Sequence, residues 1–165
     1  MYQSIHSLFA AIRKDQLQDT INEVDHAIKE MSIGGLSNIS VTWQKVKEET
    51  SSEPDLQYLL EVLEQDTMPK SRLELPESIR EYHQLRDHLF TVDEVILYKD
   101  RPVIPKSPRS QVLSTLHSAH QGVQSMISRA QSSVFWPGIT LDIKETRRKC
   151  NPCNRMAPSQ PSRRL

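Results

Sequence analysis

The chain of 165 residues contains only two cysteines, Cys150 and Cys153. Two cysteines cannot form the set of several disulfides that supports many small secreted domains. The sequence also lacks a run of about 18 apolar residues, and it lacks a basic start followed by an apolar stretch and a small-residue cleavage site. It therefore predicts neither a transmembrane helix nor a secretory signal. We expect an intracellular protein, nuclear or cytoplasmic, with reduced thiols and no membrane partner.

Acidic residues are scarce in the last third of the chain. Residues 106–165 contain 10 Lys/Arg but only 2 Asp/Glu, whereas residues 1–105 contain 11 Lys/Arg and 19 Asp/Glu. A net charge of zero for the whole chain thus combines a value near −8 in the first part with one near +8 in the second. A basic end of this kind favours an acidic partner, with nucleic acid the usual one. The alternative is that the two parts of the chain dock on each other.

The apolar residues make up 36% of the chain, which favours small helical modules over one large core. Residues 1–40 are predicted to form a helical segment that ends at Gly34-Gly35 and continues as a linker. Residues 41–105 are predicted to form a helical extension unit, whose last helix begins at Pro76 and includes Leu89. A short β-hairpin is expected to close this unit, with strands at 95–98 and 103–104.

Residues 106–154 have a helical pattern that favours three short helices. The first leads into His117, the second covers Ser125–Gln131, and the third places Ile139, Ile143 and Cys150 on one face, since spacings of four and seven return to the same side. Residues 155–165 have prolines, serines and basic residues without periodicity, and they are expected to be a disordered basic tail. The predicted fold class is therefore mainly α.

Four potential metal ligands are grouped in two close pairs. His117 and His120 are separated by two residues, 29 residues follow, and Cys150 and Cys153 are again separated by two. Imidazole nitrogen and thiolate sulfur suit Zn²⁺, which prefers four tetrahedral ligands. A redox role for the cysteine pair is the alternative, but no thioredoxin-like βαβ pattern surrounds it. A bound ion would contribute folding free energy on the order of 10 kcal/mol to a domain with few apolar residues.

The stretch from Leu116 to Pro161 resembles the His-His-Cys-Cys zinc-binding domain of integrases, in the version carried by Ty3/gypsy-type retrotransposons. The resemblance rests on "HSAH", on Gly122 just after it, on "VFWPGI" and on "CNPCNR". The stretch from "VTWQKVKEET" to "YKDRPVIP" resembles the extension that precedes this domain in gypsy polyproteins. The resemblance therefore covers about residues 41–161.

This resemblance implies a three-helix, helix-turn-helix-like zinc domain that assists DNA binding and integrase multimerisation. His117, His120, Cys150 and Cys153 fall on the ligand positions of the family, and Trp136-Pro137 falls on its structural turn. The gap of two residues between the histidines is shorter than the three or more found in retroviral integrases.

Strand transfer requires a catalytic core with three metal-binding carboxylates, and the family places this core after the zinc domain. Only Asp142 and Glu145 are acidic beyond residue 105, and two-metal phosphoryl transfer cannot be assembled from them. We therefore expect no enzymatic activity, and we expect the chain to be a polyprotein fragment or a gene remnant that is truncated before the core.

Two functions remain open from the sequence. The first is a non-catalytic module that supports nucleic-acid binding and assembly, with non-specific DNA as the expected partner. Its expected nucleic-acid contacts are Arg129, Lys144, Arg147, Arg148, Lys149 and Arg155. The second is a protein-interaction module that self-associates through the helices of residues 41–105 and does not bind DNA. Base-specific recognition is not implied, because no side chain can be assigned to base reading.

Overall fold

The computed structural model describes the backbone of residues 2–156 and the side chains of residues 14–156. Within this part of the chain there are seven α-helices. They are α1 (Tyr2–Ser37), α2 (Trp43–Ser52), α3 (Pro54–Glu64), α4 (Arg109–Leu116), α5 (Val123–Gln131), α6 (Ile139–Lys149) and α7 (Asn151–Met156). Short 3-10 helices cover Arg72–Glu74, Glu77–His88 and Ser118–His120. None of the described helices is both long and apolar enough to cross a membrane.

A three-stranded antiparallel sheet follows the 3-10 segment Glu77–His88 and precedes α4 along the chain. Its strands are β1 (Leu89–Val92), β2 (Val95–Tyr98) and β3 (Arg101–Pro102), in the order β1-β2-β3. Val92 pairs with Val95, and Tyr98 pairs with Arg101, so that each connection is a two-residue turn. The predicted mainly α fold with a small hairpin is confirmed.

Two details of the predicted hairpin unit are wrong. Leu89 belongs to β1 and not to the preceding helix, because the 3-10 segment ends at His88. A turn of residues in the left-handed conformation then connects β1 to β2. Asp93 and Glu94 form that turn with φ of 47° and 60°, so a tight hairpin exists without the glycine that usually signals it. Residues 103–104 lie beyond β3, which ends at Pro102. The Val103 N–H still donates to the Ile96 carbonyl of β2 at 2.8 Å, and Val103 also forms a single parallel bridge with Phe135.

The predicted helix end at Gly34-Gly35 is also wrong, since α1 continues to Ser37. The reason is packing. A Cβ atom at Gly35 would lie 3.2 Å from both the carbonyl oxygen of Ser132 and the Cα of Ser133, so glycine allows the helix to approach this backbone closely. Leu36 and Ile39, in the segment expected to be a linker, are buried. Tertiary contacts therefore override the weak helix propensity of glycine.

The buried apolar residues form two clusters. The first joins α1 and α2 to the sheet and to α4–α6, and it contains Leu36, Ile39, Val41, Trp43, Val46, Val92, Val95, Leu97, Ile104, Val112, Leu116, Met126, Ala130, Val134, Trp136 and Ile143. The second lies under α3 and the 3-10 segment, and it contains Leu56, Leu59, Leu60, Leu75, Ile79, Tyr82, Leu89, Ile96 and Val103. The first cluster contains residues from both sides of the domain boundary predicted at 105/106. The division into domains at this boundary stays a prediction.

The C-terminal end of the described chain is helical. Arg155 and Met156 complete α7, so the predicted disordered tail does not begin at residue 155. The remaining residues of that predicted tail, 157–165, lie outside the described part of the chain.

Candidate metal centre

The two histidines are brought together by a reversal of the chain after α4. His117 caps this helix, and a 3-10 turn follows in which the His120 N–H donates to the His117 carbonyl at 3.0 Å. Ala119 and His120 both adopt the left-handed conformation, with φ of 60° and 54°. This conformation turns the second imidazole back toward the first across a gap of only two residues. The short spacing noted in the sequence is therefore accommodated by two residues of unusual backbone geometry.

The two cysteines are placed by the junction between α6 and α7. Cys150 is the extended residue that ends α6, and Cys153 lies in the first turn of α7. The Asn154 N–H donates to the Cys150 carbonyl at 3.1 Å, which closes the turn between the two thiols. Cys153 is buried, whereas Cys150 is partly exposed. The sequence placed Cys150 on the face of the third helix, and the structure places it at the end of that helix.

The four donor atoms lie within 4.8 Å of one another. The Nδ1 atom of His120 is 3.3 Å from the Sγ atoms of both cysteines, and the Nε2 atom of His117 is 3.5 Å from Sγ of Cys153. Bond lengths of about 2.3 Å for Zn–S and about 2.0 Å for Zn–N put nitrogen and sulfur ligands of a tetrahedral ion about 3.5 Å apart. The donor set and its spacing therefore fit Zn²⁺.

The protonation of two donors is shifted by their surroundings. Burial lowers the pKa of His117, and the nearby His120 and Arg147 lower it further. Burial and a hydrogen bond with Cys150 raise the pKa of the Cys153 thiol, against a smaller opposing effect of Arg147. The neutral imidazole is ready to bind a metal, whereas the thiol must first lose its proton. The His117 Nδ1 atom is buried without a hydrogen-bond partner among the described residues, and Nε2 is the nitrogen that faces the site.

Arg147 supports the cysteine turn from α6. Its guanidinium donates to the Cys153 carbonyl at 3.3 Å and to Oδ1 of Asn154 at 3.1 Å. The Asn154 side chain in turn donates to the Arg148 carbonyl at 2.8 Å. These bonds hold the turn that carries both thiols against the end of α6. This role could not be predicted from the sequence, because a basic residue near a helix end is equally typical of a solvated surface.

Trp136 lies in the segment that connects α5 to α6. Its ring is fully buried, its Nε1–H donates to Oδ2 of Asp142 at 2.7 Å, and the Arg109 guanidinium lies over it at 5.4 Å. Gly138 follows with φ of 85° and begins α6. The Trp-Pro turn therefore sets the start of the helix whose end carries Cys150. Asp142, one of the two acidic residues in this region, acts as the acceptor that satisfies the buried indole.

Residues 104–159 match the family model described as the integrase zinc binding domain. With the four donors already gathered in space, the match is decisive for this segment. It is an integrase-type H2C2 zinc-binding domain. The H2C2 domain is the part of the chain that the family model covers, and its four clustered donors are consistent with Zn²⁺.

Two proteins similar to this chain are much longer than it. An uncharacterized protein K02A2.6 from Caenorhabditis elegans is 31% identical over 114 residues, which is 68% of this chain and 9% of the relative. A Pro-Pol polyprotein from simian foamy virus type 1 is 30% identical over 71 residues, which is 39% of this chain and 6% of the relative. The chain thus spans less than a tenth of the length of either relative. No solved structure matches it significantly.

The six basic residues expected to contact nucleic acid differ in their surroundings. Lys144 and Arg155 are exposed, and neither forms an ion pair among the described residues. Arg148 and Lys149 are exposed but share the carboxylate of Glu145, at 2.7 and 3.2 Å. These two cations lower the pKa of Glu145 to about 2, with the Arg148 hydrogen bond as the larger cause.

The other two basic residues are engaged by backbone carbonyls. Arg147 holds the cysteine turn, and Arg129 donates to the carbonyls of Thr115, Leu116 and Asn38 at 3.4, 3.1 and 3.3 Å. Arg129 therefore ties the end of α4 to the end of α1. Sequence reasoning missed this role, since Asn38 lies 91 residues away along the chain.

Proposed function

We propose that His117, His120, Cys150 and Cys153 hold one Zn²⁺ ion, and that the H2C2 domain is a non-catalytic module that supports nucleic-acid binding and assembly in a retroelement polyprotein or a protein derived from one. The observation that carries the proposal is the convergence of four donors within 4.8 Å in a segment that matches the integrase family model. The similarity to a viral Pro-Pol polyprotein supports the retroelement context.

A structural role for the ion follows from the number of protein ligands. Four side chains complete the tetrahedral set that Zn²⁺ prefers, and catalytic zinc sites keep one position open for water or substrate. When bound, the ion would link the C-terminal end of α4 to the turn between α6 and α7. Because the ion links the two ends of this segment, metal binding and folding of the segment are coupled.

The acidic residues of the domain support the absence of catalysis. Asp142 accepts a hydrogen bond from Trp136, and Glu145 pairs with Arg148 and Lys149. Neither carboxylate is free to bind the metal ions of a phosphoryl-transfer site. In a strand-transfer assay with a viral-end-like duplex and Mg²⁺ or Mn²⁺, the chain should give no joined or cleaved product. Metal-dependent product that disappears in the Asp142→Asn or Glu145→Gln variant would contradict this.

The basic residues that remain exposed on α6 and α7 support contact with phosphates. Lys144, Arg148, Lys149 and Arg155 can approach a polyanion without breaking the hydrogen bonds that hold the cysteine turn. We expect non-specific DNA binding with a Kd on the order of micromolar or weaker, as is usual for contacts to the backbone alone. If about four phosphates are neutralised, log affinity should fall with log salt concentration with a slope of roughly −3 to −4.

Fluorescence anisotropy with a labelled duplex across a salt series tests the proposal. The variant Lys144→Ala/Arg155→Ala should flatten the slope by up to about two units, and it should keep its zinc. Lys45→Ala/Lys70→Ala is the matched control, because it removes the same charge from exposed positions in the extension unit. A signal that stays flat at low salt in the zinc-loaded protein would remove DNA from the list of partners. It would favour the protein-interaction alternative.

A further inference from the structure

Residues 14–24 of α1, called here the projecting segment, are exposed to solvent. Every side chain from Lys14 to Val24 is exposed, over a length of about 16 Å. Contacts with the body begin further along the helix, where Lys29 binds Asp93 at 2.6 Å and Ser32 donates to the Asp100 carbonyl at 2.9 Å. The end of α1 is thus anchored, while no side-chain hydrogen bond or ion pair joins residues 14–24 to another element of the described structure.

This projecting segment carries an apolar stripe. Leu17, Ile21, Val24, Ile28 and Met31 follow one another at spacings of four, three, four and three residues. Leu17 is 62% exposed, Ile21 42%, Val24 51% and Met31 67%, while Ile28 packs partly against the body. An alternation of three and four is the 3.5-residue period by which one helix packs along another in a coiled coil. The stripe is therefore suited to a helix and not to a sheet or a flat surface.

The exposed segment has a physical need for a partner. A helix with no tertiary contacts is only marginally stable in water unless it is long and rich in alanine, because most helical stability in proteins comes from packing of the apolar face. Here the apolar face is present but is left largely exposed by the part of the chain that the structure describes. Four large apolar side chains in one row exceed the scattered exposure that is normal for a surface.

The charges around the stripe favour a second copy of this chain as the partner. The positions that flank the stripe are Gln18, Thr20, Asp25 and Ala27, so two identical helices can meet with few like charges in contact. The outer face carries Asp15, Asp19, Glu23 and Glu30, which disfavours an anionic membrane surface or a nucleic acid. A stripe of Leu, Ile, Val and Met is complementary to itself.

We propose that the chain self-associates through residues 14–31 of α1, which pair with the same residues of a second copy. This inference deepens the assembly part of the proposed function, and it depends neither on the zinc ion nor on DNA binding. It also moves the self-association surface away from residues 41–105, where the large exposed apolar side chains are Tyr58 and Leu73, on different elements. Isolated residues of that kind are ordinary surface features.

Sedimentation of the full zinc-loaded chain over a range of concentrations tests the proposal. The test variant is Leu17→Glu/Ile21→Glu/Val24→Glu. The matched control is Gln16→Glu/Asn22→Glu/His26→Glu, which adds three carboxylates to the opposite face of the same helix segment. We expect the wild type and the control to form dimers, and we expect the test variant to bind itself at least about a hundredfold more weakly. Its helical circular dichroism signal should also fall, because the projecting turns lose their packing.

Unfolding of the body is excluded by two readouts on the same samples. Zinc content and the fluorescence of the buried Trp43 and Trp136 should be equal in all three proteins, since the substituted side chains are exposed. A wild type that stays monomeric at about 100 μM, or a control that dissociates as readily as the test variant, would overturn the proposal. Anisotropy with duplex DNA is measured separately, so that a failure of DNA binding is distinguished from a failure of dimerisation.

Discussion

The guanidinium of Arg147 donates a hydrogen bond to the backbone carbonyl of Cys153, and the thiol of the same cysteine is one of the four donors of the metal site. The same guanidinium reaches Asn154, so one side chain fixes the turn that sets the separation of the two cysteines. The support of this turn therefore comes from a residue that offers no ligand atom.

Replacement of Arg147 should weaken zinc binding although it removes no ligand. Partners that orient metal ligands contribute about 10- to 100-fold in metal affinity, and we expect Arg147→Ala to fall in the lower part of that range. Competition with a chromophoric chelator measures the affinity. Lys144→Ala, which removes a charge from the same helix without contact to the cysteine turn, should bind zinc as the wild type does. Equal affinities for Arg147→Ala and the wild type would show that the turn needs no such support.

Ala119→Gly should stabilise the zinc-loaded protein. Ala119 has φ of 60°, a conformation that costs an L-residue roughly 1–2 kcal/mol and that glycine adopts freely. Part of this gain is offset by the greater freedom of glycine in the unfolded chain, so a net gain of about 0.5–1 kcal/mol is expected in urea unfolding. Ala119→Val should have the opposite sign, because a β-branched side chain is most strained at positive φ. A destabilised glycine variant would mean that the turn is not under strain.

Zinc binding should strengthen as the pH rises. The pKa of Cys153 is raised in the zinc-free fold, so zinc must displace a proton that the thiol retains at neutral pH. Calorimetry in buffers of different ionisation enthalpy should detect at least about one proton released per zinc at pH 7. Cys153→Ser should reduce this number as well as the affinity. A proton release of zero would show that the thiol is already ionised.

The zinc-free fold itself should lose stability in mild acid through His117. Its folded pKa lies below the ordinary value of 6.5, so at lower pH the unfolded chain takes up the proton more readily than the folded chain. This effect is absent above about pH 6.5 and grows below it. Urea unfolding of the chelated protein between roughly pH 7 and 5 measures it. His117→Asn should show a weaker dependence over that range.

Removal of zinc should loosen part of the structure outside the H2C2 domain. Leu36 and Val46 share one buried cluster with Leu116 and Met126, which lie beside the histidine turn. Hydrogen exchange of residues 36–46 should therefore accelerate in the presence of a chelator. The second cluster around Leu59 provides an internal control within the same molecule, and its exchange should change less. Exchange that accelerates only within 104–156 would show that the shared cluster does not transmit the loss.

The metal site was predictable because its signal is local and chemical. Two close pairs of zinc-binding side chains identify a tetrahedral site whatever the path between them, and the structure brings the same four residues together. The supporting residues were not predictable, because the roles of Arg129 and Arg147 depend on which carbonyls the fold places near them. The left-handed turns were missed for a related reason, since Asp93-Glu94 and Ala119-His120 lack the glycine that normally marks such backbone.

The end of α1 was also not predictable from local sequence, because here glycine was present but did not end the helix. Gly34-Gly35 is a sound indication of a helix end when only local propensity counts. At Gly35 the missing side chain serves a close approach to Ser133, and the helix continues because Leu36 and Ile39 gain burial beyond it. A glycine can therefore either end a helix or allow a helix to pack closely against another backbone. At Gly35 the second case applies, because the helix packs against Ser133, about a hundred residues further along the chain.

The exchange of backbone hydrogen bonds between the sheet and the Trp-Pro segment has a consequence for how the zinc module can be excised. The Phe135 N–H donates to the Pro102 carbonyl at 3.0 Å, and the Ile104 N–H donates to the Phe135 carbonyl at 2.9 Å. A fragment cut at residue 104, where the family match begins, retains only the second of these bonds and leaves the Phe135 amide without its acceptor. It also removes Val92, Val95 and Leu97 from the buried cluster that contains Val134 and Trp136. Recombinant fragments should therefore start upstream of β1. A shorter fragment exposes apolar residues and a backbone amide that are normally covered, and its solubility would then depend on this exposed surface and not on the zinc module.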